Sequence, residues 1–129
     1  MQINDWGIVI ASCETGLYGI DPRDGNKIWE VTALTNVPEE NYSTIPGTPL
    51  VVLAERSGNA KVAIINGLTG QKIFNSNESG IEKVQSKRVI SEIEGVMISY
   101  SNEAGDGVAL YSYTDGTEVW NTSIEKAKG

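Results

Sequence analysis

Histidine is absent from the 129 residues, and with it go Ser-His-Asp triads, His-ligated zinc and the facial triad of non-haem iron. Cys13 is the one cysteine, which excludes an intrachain disulfide and a cysteine-cluster metal site. A basic excess is missing too: 10 Lys and Arg stand against 17 Asp and Glu, a net charge of −7 with the cations scattered. That charge pattern offers no electrostatic footprint for nucleic acid. The longest apolar run, Leu50 to Ala54, falls far short of the ~20 residues a membrane helix needs. The start, Met1 to Trp6, has no basic segment leading into an apolar stretch and does not read as a signal peptide. Sequons at Asn41, Asn77 and Asn121 are a chance-level match in a sequence rich in Asn, Ser and Thr.

What is present is a globular composition, 40% hydrophobic and 21% charged, fitting one domain or a piece of a larger one. Its most informative feature is internal repetition. The stretches Gly16 to Trp29, Lys61 to Phe74 and Gly107 to Trp120 align without a gap. Gly25, Gly70 and Gly116 share one column; Trp29, Phe74 and Trp120 share another, four residues on. A period of this length is that of a propeller blade, roughly 40 to 50 residues.

Each repeat reads as β. Short β-branched runs, Ile8 to Ala11, Leu50 to Leu53 and Val96 to Ser99, precede the motif strands. The turns ending in the column glycine fit a hairpin link closed by a residue at positive φ. Both faces of the motif strands are apolar: Leu17, Val62 and Val108 on one, Tyr18, Ala63 and Ala109 on the other. Strands covered on both sides produce that pattern, as in stacked blades. The alternative is a two-sheet sandwich in which the repeat is accidental. Tyr42 to Ile45 and Val89 to Ile93 supply a further strand to the second and third repeats. The expected fold is all-β: three consecutive four-stranded antiparallel blades, the first incomplete, with about eleven strands and repeats near 5–32, 42–76 and 88–123.

The frame Gly19-x-Asp21-x-x-x-Gly25-x-x-x-Trp29 resembles the tryptophan-docking motif of quinoprotein-like (pyrroloquinoline-quinone-repeat, PQQ-like) β-propellers. The second repeat departs with Asn66 and Phe74, and the third with Ser112 in place of the Asp. The resemblance covers nearly the whole chain, and it implies that each aromatic packs against the neighbouring blade. It also implies two functional possibilities. One is a non-enzymatic binding or scaffolding module of the bacterial cell envelope, periplasmic or extracellular, with a protein or peptide partner; the family includes a lipoprotein that helps assemble outer-membrane barrels. The other is a fragment of a PQQ-dependent dehydrogenase whose cofactor residues lie elsewhere. A lumenal domain of a eukaryotic stress sensor or membrane complex is a third. The binding or scaffolding module is the expectation, since the cofactor residues of the dehydrogenases have no counterparts here.

The residues support no catalytic, cofactor-binding or metal site, and no cofactor is expected. The family's adjacent-cysteine disulfide and calcium ligands have no counterparts. Trp29 and Trp120 belong to docking, and Trp6 at the start of a strand reads as an anchor. Asn102 to Gly107 carries several oxygen donors but not the alternating spacing of a calcium loop, and reads as a hairpin loop. Gly105-x-Gly107 lacks the rest of a phosphate loop. Glu92 and Glu94, expected on one face of a strand, read as solvated edge charges, and Glu39 and Glu40 as a solvated link after Pro38. Cys13 has no base beside it and is not an activated nucleophile. Three blades do not close a ring. The terminal faces, expected to include Ile8, Ile10, Ile98 and Leu110, therefore call for further blades of the same chain or for self-association. The tail from Glu125 to Gly129 reads as a link to a further blade, and the start cuts a blade short.

Overall fold

A computed structural model describes residues 2–3, 6–32, 34–35, 37–55, 61–103 and 105–124. The tail beginning at Glu125 and the side chain of Glu39 lie outside these residues. Among the described residues twelve strands form three sheets, each a simple antiparallel meander. The first blade comprises β1 (Gln2–Ile3), β2 (Val9–Cys13), β3 (Gly16–Ile20) and β4 (Lys27–Val31). The second comprises β5 (Tyr42–Thr44), β6 (Leu50–Ala54), β7 (Val62–Asn66) and β8 (Lys72–Asn75). The third comprises β9 (Lys83–Ile90), β10 (Gly95–Asn102), β11 (Gly105–Ser112) and β12 (Glu118–Ile124). The protein is a partial β-propeller. Among the described residues the opening strand of the first blade, β1, has two residues, the shortest of the first strands. Among the described residues the only helical elements are single 3-10 turns at Glu39–Asn41 and Ser91–Ile93.

The faces pack as the double-sided strands require. Val51, Leu53, Ala63 and Ile65 of the second blade meet Ile10, Leu17 and Trp29 of the first. The alternate residues Val52, Val62, Ile64 and Phe74 meet Val96, Ile98, Ala109 and Tyr111 of the third. Each strand of β6 and β7 thus buries both sides, which is why neither alternates with polar residues.

Two expectations need correction. Ile10 and Ile98 do not belong to the outer faces; both are completely buried against the middle blade, since their position in the alternation points inward. Ile8 and Leu110 are buried as well, and Leu110 fits beside Gly95, where an added Cβ would stand 2.7 Å from its Cδ1. Large exposed apolar side chains are instead Ile3, Trp6 and Ile28 on the first blade and Val119, Trp120 and Ile124 on the third, with Ile93 at a link. Among the described residues none sits on the second blade. The second correction concerns the strand expected at Val89 to Ile93. It runs over Lys83–Ile90, and Ser91–Ile93 is a 3-10 turn leading to Glu94 in the left-handed region at φ 51°.

The three blades share a detail invisible in the alignment. Gly19 pairs with Trp29 but Ile20 with Lys27; Ile64 pairs with Phe74 but Ile65 with Lys72; Leu110 pairs with Trp120 but Tyr111 with Glu118. Each fourth strand therefore carries a one-residue bulge, at Ile28, Ile73 and Val119, immediately before its aromatic. A bulge bends its strand and re-aims the neighbouring side chain.

Candidate interaction surfaces

The repeated turn is built the same way three times. The N–H groups of Gly25, Gly70 and Gly116 donate to the carbonyls of Asp21, Asn66 and Ser112 over 2.8, 2.7 and 2.8 Å. All three glycines sit at φ between 75° and 78°, where a Cβ is disfavoured. Asp21, Asn66 and Ser112 each accept the N–H two residues on, from Arg23 at 2.9 Å, Leu68 at 2.9 Å and Thr114 at 3.3 Å. Asp24, Thr69 and Asp115 do the same for Asn26, Gln71 and Thr117. The departures at Asn66 and Ser112 keep the acceptor and so keep the turn.

On this turn the preceding blade docks. The Trp29 indole N–H donates to the Gly67 carbonyl at 3.0 Å, and its ring lies where a Gly70 Cβ would come within 2.9 Å. Trp29 is only 7% exposed. At the next junction Phe74 replaces the indole. A Gly116 Cβ would there clash with the Ile73 carbonyl, so the bulge backbone fills the landing site. Phe74 also stacks on Tyr111, with ring centroids 4.4 Å apart and planes tilted by 39°. The third aromatic, Trp120, has no following blade among the described residues and is 39% exposed. On the first blade, a cleft of about 560 Å³ beside Asp21, Pro22 and Arg23 is lined by Ile3, Trp6, Ile8 and Ile28.

A second groove, also of about 560 Å³, runs where the second and third blades meet. It is lined from the second blade and the link before it by Pro38, Glu40, Asn41, Ala54, Glu55 and Val62, and from β9 of the third by Val84, Gln85, Ser86 and Lys87. The Asn41 amide donates to the Ala54 carbonyl at 2.9 Å, and a Glu55 carboxylate oxygen accepts the Thr35 N–H at 2.9 Å. β9 is an edge strand of its sheet. The sequence missed this lining because β9 reads as charged link, not as strand.

The candidates raised from the sequence stay dispersed. The stretch expected as a hairpin loop is largely strand: Asn102 ends β10 and pairs with Gly105, and Gly105 to Gly107 open β11. Asn102 there accepts the Glu82 N–H at 2.8 Å and donates to the Gly80 carbonyl at 3.0 Å, and Asp106 accepts the Ser101 hydroxyl at 2.7 Å. Glu92 and Glu94 lie at the turned link between β9 and β10, not on a shared strand face. Glu40 is exposed at the groove, and Cys13 is exposed at the end of β2. The Trp6 indole nitrogen lies 3.5 Å from the Thr48 carbonyl, tying the first blade to the second.

Shifted ionisations trace structural bonds. Arg23 holds the Asp21 carboxyl below its usual value through a side-chain hydrogen bond, and the Thr117 N–H does the same for Asp115. Burial, then the Glu118 carboxylate, pushes the Tyr111 hydroxyl up to about 12.

No family model matches the sequence, and no curated protein matches it. Among solved structures the chain is similar to BamB from Moraxella catarrhalis, with 12% identity and a TM-score of 0.44. The match covers 99% of this chain and 38% of that one, so this chain spans well under half of that protein's length.

Proposed function

We propose that this chain is a non-enzymatic protein-binding module, a set of quinoprotein-like repeats at 5–32, 42–76 and 88–123 acting in the cell envelope. The observation that carries it is the groove between the second and third blades. Four residues of the edge strand β9, Val84 to Lys87, line it, and the lining offers hydrogen-bonding and mixed-charge side chains from Glu40 to Lys87. A sheet edge beside a groove suits an extended peptide, which pairs by its backbone and places alternate side chains in the groove. The Trp29 contact supports the repeat assignment, because it joins blade to blade as the resemblance implies. The envelope location rests on that resemblance.

Two measurements test the reading. Titration with pyrroloquinoline quinone and calcium leaves the melting temperature unchanged; a saturable rise at micromolar quinone would contradict the non-enzymatic assignment. Peptides selected for binding from an extended-peptide library lose affinity with Lys87→Glu and keep it with Trp120→Ala. Selected peptides indifferent to Lys87→Glu would place recognition elsewhere.

A further inference from the structure

Arg23, Lys27 and Lys72 pair with Asp21, Glu30 and Glu78. Lys83, Lys87 and Arg88 pair with no carboxylate among the described residues, and all three stand on β9, which holds no acidic residue. In a chain of net charge −7 this strand gathers unpaired positive charge. β9 is also longer than its place in the repeat requires. Among the described residues the opening strands of the first and second blades have two and three residues, and β9 has eight. Its free edge makes no backbone hydrogen bond among the described residues, and an open edge is a template for an added strand. The pairing with β10 sets where the charges stand. Lys87 lies opposite Ile98, on the face turned to the second blade and the groove; Lys83 and Arg88 lie opposite Ser101 and Met97, on the other face. Lys83 and Arg88 share a face because the register skips Gln85. Counted along β10 they stand four residues, or about 13 Å, apart.

We infer that the partner at this edge is an extended acidic peptide, an inference that rests on the binding-module reading and names the partner's chemistry. The peptide adds a strand beside β9 through its backbone, and its carboxylates meet cations on both faces of the edge. One carboxylate faces Arg88, its neighbour in sequence faces Lys87, and a third, four positions from the first, faces Lys83. Glu40 and Glu55 line the groove from the second-blade side, so a carboxylate is favoured beside β9 and disfavoured across from it. The same three cations oppose pairing of β9 with the β9 of a second copy.

The probe is a fluorescent peptide, Thr-Glu-Glu-Thr-Thr-Glu-Glu-Thr, which offers the required spacing in either strand direction, followed by anisotropy at low salt. Saturable binding is expected, at least about tenfold tighter than for the same peptide with Gln in place of Glu, and weakening as salt rises. Lys83→Glu, Lys87→Glu and Arg88→Glu combined should lose at least about tenfold while the β-type circular dichroism spectrum is kept, and Lys72→Glu should change nothing. Methylating alternate amide nitrogens of the peptide should abolish binding in one phase and spare it in the other, because alternate N–H groups of a strand face its partner. No binding, binding that survives the triple reversal, indifference to both methylation phases, or equal affinity for Glu-Glu-Glu-Glu-Thr-Thr-Thr-Thr would each overturn the inference. Library-selected peptides that depend on Lys87 yet carry no excess of Asp and Glu would overturn the acidic partner alone and leave the binding-module reading standing.

Discussion

Trp29 does two jobs that one substitution separates. Replacing it with Phe keeps an aromatic, as the middle blade does with Phe74, but deprives the Gly67 carbonyl of its donor at 3.0 Å. The expected loss is about 1 kcal/mol, one hydrogen bond's net worth. Trp29→Ala also opens a cavity between the blades and is expected to cost about 3–5 kcal/mol, both read from urea midpoints. At Asp21 the repeat itself predicts tolerance. Asn66 makes the same turn bond, so Asp21→Asn leaves stability nearly unchanged, whereas Asp21→Ala lowers the urea midpoint. Tyr111 supplies a pH signature. Its folded pKa of about 12 lies above the ordinary 10.0, so the unfolded chain loses this proton first as pH rises. The Tyr111 contribution is intact below pH 10 and declines up to about pH 12; comparing Tyr111→Phe with the native chain over that window isolates it. An equal pH dependence in both would contradict the burial of this hydroxyl.

Among the elements, the hairpins and the strands they join were legible because their chemistry is local. A glycine at positive φ, an oxygen acceptor two residues before an N–H, and an apolar run are all written in neighbouring positions. β9 was not legible over Lys83 to Arg88, since an edge strand holds its place through β10 and tolerates Lys and Arg facing water. Glu92 and Glu94 fall outside the strand because it stops at Ile90 and turns, an end that no glycine or proline marks in the sequence before Gly95. The bulges at Ile28, Ile73 and Val119 left no signal at all, because an extra residue shows only in the pairing. The groove depends on β9 and on the 38–41 link meeting across two blades, and so it was hidden too. A glutamate held at φ 51° carries the steric cost of a Cβ in left-handed backbone, so Glu94→Gly is expected to raise stability by about 0.5–1 kcal/mol in thermal unfolding. A fall of that size would mean that the glutamate side chain anchors the link.

At the scale of the molecule, the blades are joined through the apolar faces between them. Both hydrophobic clusters lie between sheets, and the middle blade belongs to both. The blade-to-blade contact of Trp29 therefore carries the account, and the three indole protons report on it directly. Their exchange with solvent, followed by nuclear magnetic resonance in dilute solution, should rank Trp29 slowest, since its N–H is buried on the Gly67 carbonyl. Trp120 and the half-exposed Trp6 should exchange faster. A Trp29 indole proton that exchanges as fast as the other two would contradict the stacked-blade account.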